Sequence, residues 1–313
     1  MQHYPLNIPY GRRPRVLLLG NGINRAFSLS PSWDTLLQSI QTRSLTQEET
    51  DALAQVPYPL RPVILTQDRL EEHLPAIAEN LAALQAGAQE EALLRDFAAL
   101  PVEAILTTNY TYELEKALIP DFRCAFGRRC KYRKVAFSSG GADSIHRLHT
   151  YFSPPGTAVS IWHIHGEAAR PKTMVLGHYA YGKLLSRAQQ QVAGVLARYK
   201  GRSAHPNDLQ LHSWLEFFLL SDVYVVGFGL ELSELDLWWL INCKKRHFPQ
   251  TKTVLYKPDL PTAQRLLADA YGVEVVCVPR VGSDYPTYYR TVYRELQTQL
   301  AEVPSHPKKK DCL

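Results

Sequence analysis

No two of the five cysteines, Cys124, Cys130, Cys243, Cys277 and Cys312, stand at C-x-x-C spacing. Their odd number argues against a closed disulfide framework, and without such a pair nothing builds a zinc knuckle. Reduced thiols and a cytoplasmic location are the expectation. Long apolar runs are missing too. None approaches the roughly 20 residues of a membrane helix, and the polar start from Met1 to Tyr10 lacks the apolar stretch of a secretory signal. No membrane partner is expected. Charge of one sign is also scarce: the net charge is +5 over 313 residues. The basic residues are spread along the chain rather than gathered with aromatics into a stripe, which leaves nucleic-acid binding unsupported. The densest run, Lys308 to Lys310, falls in a polar tail over 304–313 and reads as a solvated end. Internal repeats are lacking as well.

What remains has the balance of an ordinary globular chain, 45% hydrophobic and 21% charged. Short apolar runs alternate with amphipathic segments. Strands are expected within Arg15 to Leu19, Ala104 to Tyr110, Val159 to Gly166, Thr173 to Leu176, Asp222 to Gly229, Thr253 to Tyr256 and Glu274 to Val278. Helices are expected from Ser32, as cap, through Leu37, and over Gln47 to Ala54, Leu70 to Gln85, Glu90 to Leu100, Tyr112 to Leu118, Tyr179 to Tyr199, Leu209 to Leu220, Leu260 to Tyr271 and Pro286 to Leu300. Alternation of this kind predicts an α/β fold: a Rossmann-like, doubly wound, mainly parallel sheet of about six strands. One domain over 1–303 carries a helical insertion at about 45–100 and a loop insertion at about 120–158. The helical insertion would cover a cleft or make an oligomer contact. Within the loop insertion, the basic stretch from Arg123 to Arg147 reads as loops or a small hairpin, a solvated region or one that steers an anion.

Chemistry concentrates where strands stop. Gly20-Asn-Gly-Ile-Asn24 turns sharply after a buried strand, a layout that lets backbone approach a phosphate. The third glycine of G-x-G-x-x-G is replaced by Arg25, and no acidic residue ends a second strand about 20 residues later, so a standard dehydrogenase is disfavoured. Thr107-Thr-Asn-Tyr110 closes another apolar run. In open α/β sheets ligands bind outside the carboxyl ends of strands, which makes Asn109 a site candidate; the alternative is that these side chains only cap the helix beginning near Tyr112. On Val159 to Gly166, Ile161, His163 and His165 share a face. His163 reads as a satisfied core histidine and His165, at the strand end, as the one that reaches solvent and ligand. Gly227-Phe-Gly229 is a second glycine turn, suited to the other half of a dinucleotide. The residues after it, Glu231, Glu234, Asp236, Trp238 and Trp239, read as a helix whose tryptophans pack.

Four pieces in this order, Gly20-Asn-Gly-Ile-Asn24, Thr107-Thr-Asn-Tyr110, His165-Gly166 and Gly227-Phe-Gly229, together resemble the sirtuin-like superfamily. The closer resemblance is to its divergent bacterial members, which typically carry threonine-threonine-asparagine-tyrosine where deacetylases have threonine-glutamine-asparagine. Two departures stand out: the four-cysteine zinc module has no counterpart, and the letters Ile119-Pro-Asp-Phe-Arg123 follow Asn109 instead of the first glycine loop, so no role is carried onto them. No metal is expected, because His163 and His165 would need a third ligand and no nearby cysteine or carboxylate cluster supplies one. The resemblance implies an NAD+ glycohydrolase that releases nicotinamide and ADP-ribose, with NAD as substrate and a part in bacterial antiphage defence. It implies Asn109 and His165 as catalytic residues. Gly20, Asn21, Gly22, Ile23, Asn24, Thr108, Gly227, Phe228 and Gly229 would bind the nucleotide. Control by self-assembly into a homo-oligomer, or by a partner subunit, is expected. A non-enzymatic nucleotide-binding or sensor subunit is the alternative, and an NAD-dependent protein deacylase ranks below it.

Overall fold

The computed structural model describes residues 13–27, 32–84, 86–124, 129–136, 148–199 and 211–301. The polar start, Arg128, the Ser138 to Gly141 run, Arg147, Leu209, Cys312 and the lysine tail lie outside the described residues. In chain order the elements are β1 (Arg15–Leu19), α1 (Gly22–Ala26), α2 (Trp33–Gln38), α3 (Gln47–Ala54), α4 (Arg61–Thr66), α5 (Leu70–Ala83), α6 (Ala88–Ala98), β2 (Ala104–Thr107), α7 (Glu113–Leu118), β3 (Arg133–Val135), β4 (Thr150–Phe152), β5 (Ser160–His163), α8 (His178–Tyr199), α9 (Trp214–Leu220), β6 (Asp222–Val226), α10 (Leu235–His247), β7 (Thr253–Lys257), α11 (Thr262–Tyr271), β8 (Val273–Cys277) and α12 (Tyr285–Ala301). Two 3-10 turns, Tyr58–Leu60 and Pro171–Thr173, join them.

All eight strands form one sheet in the order β3-β4-β5-β2-β1-β6-β7-β8. The run from β5 to β8 is parallel throughout. Numbered among themselves in chain order, these six strands read 3-2-1-4-5-6, the order of dinucleotide-binding Rossmann sheets. The chain first winds outward from β1 through β2 to β5, then crosses back to β6 on the other side of β1. That reversal creates a switch point between β1 and β6 at the carboxyl edge. The loop insertion supplies the extra pair: β3 and β4 run antiparallel beyond β5. Within it Arg133 turns inward, its guanidinium 2.6 Å from the buried Glu167 carboxylate, so this arginine serves packing instead of steering.

Alternation along the strands divides the core. Leu17, Leu19, Ile105, Ile161, Tyr224 and Val226 face one layer, where α5, α6 and α12 contribute Ile77, Phe97 and Val292. Val16, Leu18, Leu106, Trp162, Val223 and Val225 face the other, against Leu184 of α8, Phe217 of α9 and Leu237 of α10. Each fully buried side chain of this size is worth about 1.5–3 kcal/mol. A one-residue slip of any central strand would exchange the two sets. Helix starts follow local chemistry. Thr46 Oγ1 accepts the Glu49 amide at 3.2 Å while the Glu49 carboxylate accepts the Thr46 amide at 2.9 Å, a closed capping box for α3. Ser32 caps α2 in the expected way.

One expected strand is absent from the sheet. Thr173 to Leu176 leaves the 3-10 turn begun by Pro171 and runs as extended chain, with the Val175 amide donating to the His165 carbonyl at 2.7 Å. Met174, Val175 and Leu176 are buried like strand residues. Their apolar run finds its cover beside the loop after β5, and burial without a sheet neighbour gives the same sequence pattern as a strand.

Candidate active site

Register brings the motifs together. His163, Thr107, Leu19 and Val226 are aligned partners across β5, β2, β1 and β6. The residues that follow them, Ile164, Thr108, Gly20 and Gly227, therefore leave the sheet as one row at the switch point. Beyond that row lies a cleft of about 620 Å3, lined among others by Asn21, Gly22, Thr108, Gly227, Phe228 and Gly229. A smaller recess of about 70 Å3 continues from it past Thr108, Asn109, Tyr110 and His165. Asn21, Ser32, Thr108, Phe228 and Glu234 line both. The larger volume falls within the roughly 300–1,000 Å3 of small-molecule sites. Leu36 of α2 and Leu81 of α5 wall the recess and Tyr58 lines the cleft, so the helical insertion borders both through Leu81 and Tyr58.

Asn109 is held by its backbone and open at its side chain. Its amide donates to Thr107 Oγ1 at 3.1 Å, and its carbonyl accepts from His163 Nδ1 at 2.7 Å. Its side-chain Oδ1 is buried and has no hydrogen-bond partner among the described residues. An orphaned buried acceptor costs about 1–3 kcal/mol, and this one belongs to a residue that lines the recess. The capping alternative is overturned: α7 begins at Glu113 with Tyr112 at its N-cap position and no side-chain cap. Thr107 shapes the turn through its bond to Asn109, and Thr108 faces the cleft.

His163 is the satisfied core histidine that strand position predicts. Besides Asn109 it meets Glu115 Oε1 at 2.8 Å through Nε2. Burial opposes its protonation, yet the Glu115 charge and hydrogen bond outweigh that and hold its pKa above the ordinary value. His165 lies past the end of β5 and is only 2% exposed. It reaches the recess rather than bulk solvent. Its Nε2 donates to Asp236 Oδ2 at 2.9 Å, which leaves Nδ1 as the unbonded ring nitrogen among the described residues. Burial pushes the imidazole pKa down. The Asp236 charge and hydrogen bond, with Glu234 behind them, more than offset this and raise it. Tyr181 packs edge-on against the ring.

The two glycine turns touch each other. Gly20 and Gly22 amides donate to the Val226 and Gly227 carbonyls at 2.9 and 2.7 Å. A Cβ at Gly20 would stand 2.5 Å from the Gly227 oxygen, and one at Gly22 would stand 2.6 Å from it. Gly227 itself has φ +69°, a left-handed conformation that favours glycine. Close loop packing thus explains these glycines as directly as phosphate approach does. Gly20 and the buried Ile23 and Asn24 do not line the large cleft; they border a chamber of about 10 Å3 behind Asn109.

The segment after the second turn departs from the expected helix, which begins only at Leu235. Gly227 and Leu230, at φ +69° and +49°, break helical geometry before it. Glu231 and Glu234 therefore sit in a loop on the cleft wall. Trp238 packs as expected and also donates from Nε1 to the Glu231 carbonyl at 3.0 Å. Glu234 and Asp236 are the site residues that periodicity concealed. The signal that reveals them is positional: acidic residues just after a strand end, on the edge that carries Asn109. With His165 they place a nitrogen and carboxylate oxygens within 4.8 Å of one another, the spacing of a cation site. The proton of the 2.9 Å His165–Asp236 bond already satisfies that pair of atoms.

Fold and cleft together define an α/β protein of Rossmann-like architecture with a ligand-sized cleft at its switch point. No model of a known protein family matches the chain, and no curated protein matches it.

Proposed function

We propose that this chain is an NAD+ glycohydrolase of the sirtuin-like kind. The observation that carries the reading is the convergence of Asn109, with its orphaned Oδ1, and of His165, backed by Asp236, on one recess at the end of a nucleotide-sized cleft. In the reaction the bond from ribose C1′ to the nicotinamide nitrogen breaks, and its electron pair neutralises the pyridinium charge, so departure needs no acid. Water adds to C1′, where oxocarbenium character develops. Asn109 Oδ1 accepts a hydrogen bond from the attacking water or from a ribose hydroxyl and so orients it. His165 Nδ1 takes the water proton, with Asp236 fixing the tautomer and balancing the imidazolium, and the proton then passes to solvent. Nicotinamide and ADP-ribose are the products.

The test is nicotinamide release from NAD by the purified full chain, followed by chromatography with and without an acyl-lysine peptide and on each oligomeric fraction separated by mass. Release without peptide supports the hydrolase, and release only with peptide supports a deacylase. No release from any fraction sinks the reading. A role as an effector of bacterial antiphage defence, in the cytoplasm and under control by self-assembly or a partner chain, rests on the same resemblance. It predicts that activity differs between the fractions.

A further inference from the structure

The carboxylate of Glu234 has no structural task that explains its place. It occupies the N-cap position of α10, and its side chain makes no capping hydrogen bond. Instead it turns to the boundary between cleft and recess and lines both. Only 8% of the residue is exposed. Tyr181 donates from its hydroxyl to Oε2 at 3.2 Å, and Oε1 has no partner among the described residues. The groups that face it are His165 from the loop after β5, Tyr181 from α8, Tyr110 from the loop after β2, Asp236 and Glu231 from its own segment, and Tyr58 across a small cavity they share. His165 is the sole cationic group among these, and Asp236 already holds it. A second buried carboxylate beside that pair costs folding free energy and returns none through a salt bridge of its own. Loop strain adds to the cost, since Leu230 lies at φ +49° in the same segment. Positive charge arriving from outside the chain is what this arrangement lacks.

We propose that Glu234 is a catalytic residue of the cleft, whose carboxylate faces the ribose ring and stabilises the positive charge that develops there as the nicotinamide bond opens. The assignment rests on the glycohydrolase reading. No bond forms to Glu234 and no proton moves through it. Tyr181 is its positioning residue, holding one carboxylate oxygen so that the other points at the ring. Charge that appears only in the transition state makes the contribution one to kcat and not to substrate binding. Burial places the carboxyl pKa at about 7, as the absence of a cation of its own requires, and a cationic substrate drives it toward the ionised form.

Steady-state kinetics of NAD cleavage by wild type and by Glu234→Gln decide the matter, with calorimetric binding of ADP-ribose and thermal melting as controls. Expected is a kcat lowered at least 100-fold, KM within about threefold, ADP-ribose still bound, and a melting temperature no lower than wild type. A kcat for Glu234→Gln within threefold of wild type overturns the assignment alone. No nicotinamide release by the wild type removes the glycohydrolase reading and this assignment with it. Tyr181→Phe decides the case in which Glu234→Gln does not fold. Its kcat should fall five- to tenfold at unchanged KM, and an unchanged kcat overturns the proposal.

Discussion

At Asn109 the backbone and the side chain have separate duties, and the same division separates the two histidines. His163 secures the Asn109 carbonyl and neutralises Glu115, both away from the cleft, whereas His165 lines the recess and bonds Asp236 through Nε2 alone. Asn109→Ala is therefore expected to lower NAD turnover at least 100-fold while melting stays within a few degrees of wild type, and His165→Ala to lower turnover as far while also lowering the melting temperature, because Asp236 loses its buried partner; near-normal nicotinamide release from both would remove them from the chemistry. His165 must be neutral to accept a proton, so turnover should rise with pH through a midpoint above its ordinary value of about 6.5. Glu90 on α6 supplies a residue-level test of stability that is independent of function. It is 1% exposed, and burial, reinforced by the nearby Glu113 charge and only partly offset by the Gly87 amide, raises its pKa to about 7. A carboxyl raised in the folded state favours folding fully below its unfolded pKa and loses that contribution as pH climbs through the folded one. The window here runs from about 4.5 to about 7. Glu90→Gln should consequently stabilise the protein by roughly 2 kcal/mol at pH 8 and by little at pH 4.5, read from denaturant midpoints at the two pH values.

At the scale of elements, two kinds of glycine are distinguished by what surrounds them. Gly20 and Gly22 have the opposing loop's backbone where a side chain would go, and backbone cannot give way as a flexible side chain can. Gly20→Ala or Gly22→Ala should cost about 1–3 kcal/mol through forced separation of the two turns. Gly182 lies within α8 with open space around its Cα, and Gly182→Ala should stabilise the helix by about 0.5–1 kcal/mol. Chemical denaturation of the three variants checks both signs, and equal effects would show that loop contact is not what selects glycine. The same elements show what a sequence can reveal. Strand ends such as Leu19, Thr107, His163 and Val226 are legible because a buried apolar run stops abruptly at polar or glycine residues, and that pattern depends only on neighbours along the chain. Asp236 pairing with His165 is a contact across 71 positions, and nothing local to either residue encodes it. Glu231, Glu234 and Trp238 also fall at spacings a helix would use, so the strained turn at Leu230, visible only in the backbone, is what moves the first two onto the cleft wall.

For the whole molecule the decisive feature is the reversal of winding at β1, which sets the first glycine turn beside the second although 207 positions separate Gly20 from Gly227. Each turn closes one half of the sheet, and the two are held in direct contact by backbone hydrogen bonds from Gly20 and Gly22. A dinucleotide lying along the cleft would touch both turns, Asn21 and Thr108 at once, contacts that exist only when the halves are folded together. Ligand of that kind binds the native state and not the unfolded chain, and at 100 times its dissociation constant it stabilises by about 2.7 kcal/mol. For a chain of this size that amounts to a rise of about 4 °C in melting temperature. ADP-ribose, which is not consumed, is the probe of choice. The shift should persist in Asn109→Ala, whose cleft is intact, and shrink in Gly22→Ala, whose turns are forced apart, while nicotinamide alone, which on the proposed reading would occupy only the recess, should give little. Equal melting curves with and without millimolar ADP-ribose in the wild type would mean that the cleft at the switch point takes some other ligand, since the fold places no comparable cavity at the junction of the two turns among the described residues.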